Sequence, residues 1–144
     1  TTNSKYIFML QEGNAHTFRQ IFMDGRKHPE DPSPTWYGHS TGRWEGDTLV
    51  VDTIGLNTRF WLDSRGTPHS EGLHMVERYT RTDYTTLKRE VTLTDPMAFT
   101  RPVTVTYTAK LGEPDSEIFE YICIENNQWG DRTNTNPLDV PIKK

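Results

Sequence analysis

The sequence is poor in cysteine, in long apolar runs and in basic charge. Cys123 is the single cysteine among the 144 residues, which excludes an intrachain disulfide and a zinc site built from several cysteines. No apolar run approaches the roughly 20 residues that a membrane-spanning helix needs. The formal net charge is −4, and the lysines and arginines are scattered among carboxylates. This distribution argues against a nucleic-acid-binding surface.

The apolar fraction of the sequence is also low. It is 33%, while charged residues account for 25%, and two separate cores would each be small in a chain of this length. We therefore expect one domain over residues 1–144, with a thin core and a polar surface on one side of each sheet. Dimerisation would help such a domain, so a homodimer stays open. The chain begins at Thr1, and we expect a processed product.

Apolar and polar residues alternate with period two along most of the chain, whereas a helical period is almost absent. Turn signals separate the alternating segments, and two long connections interrupt them: the proline-rich residues 26–35 and the crossing 55–72. The predicted strands lie at residues 6–10, 18–22, 36–44, 47–53, 73–79, 85–94, 103–111 and 117–125. About eight strands predict an all-β domain, either a lipocalin-like antiparallel up-and-down barrel or a two-sheet sandwich, with little helix. Residues 126–144 are expected to form an irregular tail.

Two carboxylates occupy strand positions where apolar residues are expected. Glu77 shares a predicted face with Met75 and Tyr79, and Asp52 shares one with Val50. A buried carboxylate must be paired, hydrogen-bonded or neutralised, and such groups often line a site with shifted pKa values. Glu77 and Asp52 are therefore candidate catalytic residues. The alternative is that solvent or a neighbouring arginine, Arg89 for example, satisfies them in a purely structural role.

Four of the five histidines lie close together in the sequence, at His28, His39, His69 and His74. Imidazole is the usual general base near neutral pH and the commonest metal ligand. His39 and His74 are candidate catalytic residues. A divalent transition metal (Cu, Zn or Fe) would be held by His39, His69 and His74, which requires His69 to bend back from a loop. Structural histidines without a metal are the alternative.

Aromatic residues cluster around the same segments. The candidate ligand-binding residues are Trp36, Tyr37, Trp44 and Trp61, together with Glu120, a carboxylate on a face shared with isoleucines. Aromatic side chains beside a few polar groups are typical of a small-molecule pocket, and equally of a small β core.

Residues 38–42 read Gly-His-Ser-Thr-Gly, which matches the nucleophile-elbow pattern of hydrolases around Ser40. That motif exposes its serine on a sharp turn from a strand into a helix. Here the segment runs into a β-hairpin, so we do not expect a nucleophilic serine.

Most of the chain from about residue 20 onward is similar to a family of bacterial proteins, many from soil organisms and often exported, for which no activity is established. The similarity rests on MDGRKHPED (23–31), PTWYGHSTGRWEGDTLVVDTIGLN (34–57), PHSEGLHMVERY (68–79), DPMAFTRP (95–102) and EYICIEN (120–126). The resemblance implies a periplasmic or secreted protein. It also implies that a recurring polar pattern includes His28, His39, Asp52, His69, Glu71, His74 and Glu77.

Three functions fit these patterns. The first is an enzyme that processes a small organic or carbohydrate-like molecule with a histidine–carboxylate cluster, with or without a metal. The second is a non-catalytic, exported β-barrel that binds an aromatic or apolar ligand. The third is a structural domain that meets another chain. The number of titratable groups favours the enzyme.

Overall fold

The alternating segments form seven β-strands in a computed structural model that describes residues 5–12 and 17–118. The strands are β1 (Tyr6–Gln11), β2 (Thr17–Phe22), β3 (His39–Glu45), β4 (Thr48–Ile54), β5 (His74–Asp83), β6 (Thr86–Thr94) and β7 (Val103–Lys110). Helices are absent from the described residues, and accordingly none of these residues belongs to a helix suited to crossing a membrane. The predicted all-β fold is confirmed.

The seven strands form one sheet in sequence order, curled into a half-barrel. Every neighbouring pair is antiparallel except β2 and β3, which are parallel and pair only at Ile21–Ser40 and Phe22–Thr41. The parallel pair was not predicted. The proline-rich connection between β2 and β3 returns the chain to the end of the sheet at which β2 began, as a parallel pairing requires.

Most sequence boundaries agree with the structure. The hairpin β3–β4 turns at Gly46, whose φ is +59°, as the Glu45-Gly46 signal predicts. The third strand was predicted to start at Trp36, but β3 begins at His39 because the preceding residues make only an isolated bridge from Thr35. Most of the predicted eighth strand (117–125) and all of the tail (126–144) lie outside the described residues.

Strand register assigns the side chains to two faces. The buried face, which we call the inner face, carries the core cluster of Ile7, Ile21, Leu49 and Val51, with Met9, Met23 and Tyr79 packed against it. Glu77 is opposite Val51 and therefore belongs to the inner face, whereas Asp52 belongs to the outer face. The predicted faces of the two carboxylates are thus confirmed, and they are opposite faces of the sheet.

We expect Gly38→Ala to lower the free energy of unfolding by about 1–3 kcal/mol through overpacking. Gly38 has φ of +64°, and an added Cβ would meet the backbone oxygen of Ile54 and lie 2.9 Å from Thr53 Cγ2. Gly46→Ala is the matched control, because Gly46 also has a positive φ but nothing lies within 4 Å of the position that an added Cβ would take there. Urea unfolding measures both variants, and equal losses would refute the steric explanation.

Candidate functional site

Three histidines and one aspartate form a hydrogen-bonded chain on the outer face. His39 opens β3, Asp52 lies near the end of β4 and His74 opens β5, while His28 reaches them from the proline-rich connection. His39, Asp52 and His74 come together because β4 lies between β3 and β5, and the register places their side chains on one face. We call these four residues the histidine chain.

The contacts in the histidine chain are short. The Nδ1 atoms of His28 and His39 are 2.8 Å apart, and His28 Nε2 lies 2.9 Å from Asp52 Oδ1. His74 Nε2 lies 2.8 Å from the same oxygen. Asp52 thus joins two imidazoles directly and a third through His28.

The geometry assigns the protons of this chain when Asp52 is ionised and His28 is neutral. An ionised Asp52 only accepts hydrogen bonds, so His28 and His74 each donate Nε2–H to Oδ1. A neutral His28 then has an accepting Nδ1, to which His39 donates Nδ1–H. This tautomer leaves His39 Nε2 as an unprotonated acceptor, and Nε2 makes no hydrogen bond within the described part of the chain.

The surroundings of His39 favour its neutral form. Burial lowers the pKa of His39 below its ordinary value of 6.5, and the positive charges of Arg26 and of His28, when His28 is protonated, lower it further. Its ring stacks on Phe22 at a centroid distance of 5.0 Å, and the Arg26 guanidinium covers that phenyl ring at 3.9 Å. His39 is therefore a fixed, neutral base near pH 7.

His39 borders a cleft of about 310 Å³. The cleft opens where the chain before β3 diverges from β2, because β2 and β3 pair at only two positions, Ile21–Ser40 and Phe22–Thr41. Its lining includes Phe18, Phe22, Pro29, Pro32, Tyr37 and His39, with Arg19 and Ser40 from the inner face. The volume is at the small end of the usual range for small-molecule sites.

Glu77 lies in a separate, buried ion network on the inner face. Its side chain has no exposed surface, and it forms an ion pair through Oε2 with Arg19, which is only 6% exposed. Arg89 donates from Nε and Nη2 to Glu77 Oε1 at 2.9 and 2.5 Å. Tyr79 donates to the same oxygen at 2.8 Å. We call Arg19, Glu77, Tyr79 and Arg89 the inner ion network.

The electrostatics of the inner ion network are consistent with an ionised Glu77. Burial alone would raise the pKa of Glu77, but the hydrogen bonds and charges of Arg19 and Arg89 offset it and hold that pKa below its ordinary value. Burial and the adjacent carboxylate raise the pKa of Tyr79 to about 12. Arg19 is further held by Ser40, at 3.1 Å from Nε, and by Thr53, at 2.6 Å from Nη2.

The structure separates the predicted catalytic residues into two groups. His39, His74 and Asp52 are joined in the histidine chain, whereas Glu77 is enclosed by arginines on the other face. Ser40 is buried within β3 and bonded to Arg19 and Thr53, in agreement with the expectation that it is not a nucleophile.

The predicted metal ligands do not converge. His69 is buried in the crossing 55–72, where its ring lies 4.7 Å from that of Phe60 and its Nδ1 is 3.1 Å from the Ser70 carbonyl oxygen. Among residues 5–12 and 17–118, no group of three or more histidine, cysteine, aspartate or glutamate side chains is arranged to hold a metal ion. The described residues thus give no support to a metal shared by His39, His69 and His74.

The predicted ligand-binding residues are also divided. Trp36 and Tyr37 line a second cavity of about 180 Å³ on the inner face, and Tyr37 also borders the cleft. Trp44 and Trp61 are exposed and line neither space. Glu120 lies outside the described residues.

Sequence reasoning assigned no catalytic or binding role to two residues that the structure makes central. His28 was one of the clustered histidines, but only its contacts with His39 and Asp52 distinguish it from a surface histidine. Arg19 carried no signal except its place in a strand, between Phe18 and Gln20. An arginine at an inward-facing strand position is itself a sign of a buried partner.

Comparison of the chain with protein-family models, with curated proteins and with solved structures finds no match.

Proposed function

We propose that this protein is an enzyme that transfers a proton to or from a small organic molecule bound in the cleft, with His39 as the general base. The observation that carries this proposal is the histidine chain, which leaves an acceptor at Nε2 of His39, a residue that lines the cleft, and leads from His39 to an aspartate. A base whose orientation is fixed by a second group, itself held by a third, is the usual arrangement for proton transfer by histidine.

Each member of the chain has a separate role in this proposal. His39 Nε2 accepts the substrate proton and becomes an imidazolium. Its Nδ1 proton then moves along the hydrogen bond to His28 Nδ1, so that the positive charge comes to lie beside the Asp52 carboxylate. His74 holds the carboxylate from the other side. The charge that forms in the reaction is therefore spread away from the substrate and stabilised by a fixed anion.

The cleft favours a substrate with an aromatic or apolar body. Phe18, Phe22 and two prolines provide flat, apolar walls, and Tyr37 and His39 provide polar groups at one side. We also propose a periplasmic or secreted location, on the basis of the resemblance to exported bacterial proteins. That resemblance does not indicate a substrate.

A compound screen in deuterated buffer, followed by NMR, tests this proposal. The panel combines small aromatic esters, lactones and carbonyl compounds with acidic C–H groups, since a base can activate water to attack an ester or lactone and can remove an acidic C–H proton. We expect the unmodified chain and Arg43→Ala to hydrolyse or deuterate the same compounds, and His39→Ala to leave them unchanged. Arg43 is the matched control because it lies on the same strand and face as His39. Equal reaction by all three chains would refute His39 as the base, and binding in the cleft without any reaction would favour a non-catalytic binding protein.

The pH dependence of turnover should report the neutral form of His39. Because the pKa of His39 is lowered, we expect kcat/KM to rise with pH and to reach its plateau with a midpoint below about 6.5. Arg26→Ala removes one of the charges that lower this pKa and should move the midpoint to higher pH. A midpoint above that of an ordinary histidine, or a downward shift in Arg26→Ala, would contradict the assignment.

A further inference from the structure

We propose that the inner-face cavity is a second binding site, which takes a small apolar monocarboxylate through Arg19 and Arg89. This site does not depend on the proposed reaction at His39, although Arg19 and Tyr37 line both spaces. The cavity holds about 180 Å³ and is lined on one side by Arg19, Arg89 and Met75 of the sheet. The crossing 55–72 closes it from the other side with Leu56, Phe60 and Leu62.

The inner ion network carries one more positive charge than negative charge among the described residues. Within residues 5–12 and 17–118, Glu77 is the only carboxylate in contact with either guanidinium, so two positive charges face one negative charge. Arg19 is almost completely buried, and Arg89 is about one-third exposed at 38%. A surplus positive charge at the wall of an apolar space attracts an anion more strongly than the same charge would in water.

The arginines have donors left for such an anion. The hydrogen bonds and ion pair of Arg19 to Ser40, Thr53 and Glu77 use only Nε and Nη2 within the described residues, and those of Arg89 to Glu77 use the same two atoms. Each guanidinium has five N–H donors in a planar fork that matches a carboxylate. The Nη1 groups are therefore the donors that a bound carboxylate would engage.

The remaining walls fit an apolar body. Trp36, Leu56, Phe60, Leu62, Leu73 and Met75 surround the space, and Tyr37 and Gln11 are its other polar neighbours. An apolar cavity of about 150 Å³ accommodates a benzene ring. A molecule as small as benzoate thus matches both the volume and the single surplus charge, whereas a dianion would exceed that charge.

Calorimetric titration of the full chain with benzoate, and with benzyl alcohol as its neutral counterpart of similar shape, tests the site. We expect benzoate to bind about tenfold or more tightly than benzyl alcohol, because a hydrogen bond to a charged group is stronger than one to a neutral group. Equal affinities would overturn the role of the arginines. The absence of benzoate binding at millimolar concentrations would overturn the site, whether the cause is a closed cavity or a segment of the chain already occupying it.

Leu62→Trp locates the binding without altering either arginine. Leu62 lines the cavity from the crossing, and a larger side chain there should fill the space and weaken benzoate binding at least tenfold. Leu10→Trp is the control, because Leu10 is exposed on β1 and lines neither space. His39→Ala should keep full benzoate affinity, which separates this site from the proposed enzyme. Unchanged affinity in a folded Leu62→Trp variant, or lost affinity in His39→Ala, would overturn the proposal.

Discussion

Replacing Glu77 with glutamine is expected to lower the free energy of unfolding by about 3–5 kcal/mol. The carboxylate has no exposed surface and is the shared acceptor for Arg19, Arg89 and Tyr79. Its removal leaves Arg19, which is 6% exposed, with a buried charge that no other described side chain balances. Breaking a buried pair in this way costs more than the pair itself contributes, because the remaining charge has lost its water and its partner.

Urea unfolding of three variants separates this effect from a simple loss of a hydrogen bond. Glu90→Gln is the control, since Glu90 pairs with Lys88 on the partly exposed face of the same sheet and should cost at most about 1 kcal/mol. The double variant Arg19→Met/Glu77→Leu should recover much of the loss, because it removes both fully buried charges and leaves only Arg89, which is 38% exposed, without its partner. A Glu77→Gln loss as small as that of the control would contradict the buried network.

The same network makes the stability of the fold sensitive to acid. The pKa of Glu77 is lowered in the folded chain, so the stability it contributes is fully present above the pKa of an unfolded glutamate, about 4.3. It is lost as the pH falls through the lower folded value. Below pH 5, the stability of the Glu77→Gln variant should therefore fall less steeply than that of the unmodified chain. An unchanged pH profile would argue against this linkage.

Asp52→Asn is expected to lower kcat/KM for any substrate of the cleft by about 10²–10⁴. Asp52 does not border the cleft, so we regard it as a positioning residue that acts through His28. An asparagine can present its amide N–H₂ to His28 Nε2, which forces the opposite tautomer and turns His28 Nδ1 into a donor. His39 Nδ1 must then become the acceptor, and His39 Nε2 carries the ring proton. In this tautomer Nε2 can no longer accept a proton from the substrate.

Two comparisons between variants and one NMR measurement distinguish this tautomer effect from a loss of folding. Asp47→Asn, in the exposed turn of the same hairpin, should leave kcat/KM unchanged. The double variant His28→Ala/Asp52→Asn should be no slower than His28→Ala alone, since Asp52 acts only through His28 on the path to His39. Nitrogen NMR of the ring of His39 should show Nε2 unprotonated in the unmodified chain and protonated in Asp52→Asn. Additive losses in the double variant would place Asp52 on a separate path.

The strands were predictable because their determinants are local. Alternation of side chains sets the faces of β4 and β5, and this was enough to place Glu77 with Met75 and Tyr79 and Asp52 with Val50. Hairpin turns such as Glu45-Gly46 set the register of adjacent strands without reference to the rest of the chain. Parallel pairing of β2 with β3 carries no such local signal, since its two pairs depend on how a proline-rich connection runs in space.

The histidine chain was predictable only in part. His39, Asp52 and His74 lie on adjacent antiparallel strands, so their proximity follows once the pairing of β4 with its two neighbours is known. His28 lies in a connection, where sequence patterns do not predict the direction of a side chain. Its position between His39 and Asp52 is therefore known only from the tertiary structure. His69 shows the converse, because closeness in sequence to His74 did not bring the two rings to a common ligand.

The sequence by itself determined that the described part of the chain is all-β and which residues share a strand face, because these depend on neighbours within a few positions. Only the tertiary structure decided that Arg19 meets Glu77 and that the two carboxylates belong to different hydrogen-bonded networks. Such contacts join residues far apart in the chain, and their free energy arises from burial and charge pairing that exist only after the sheet has curled.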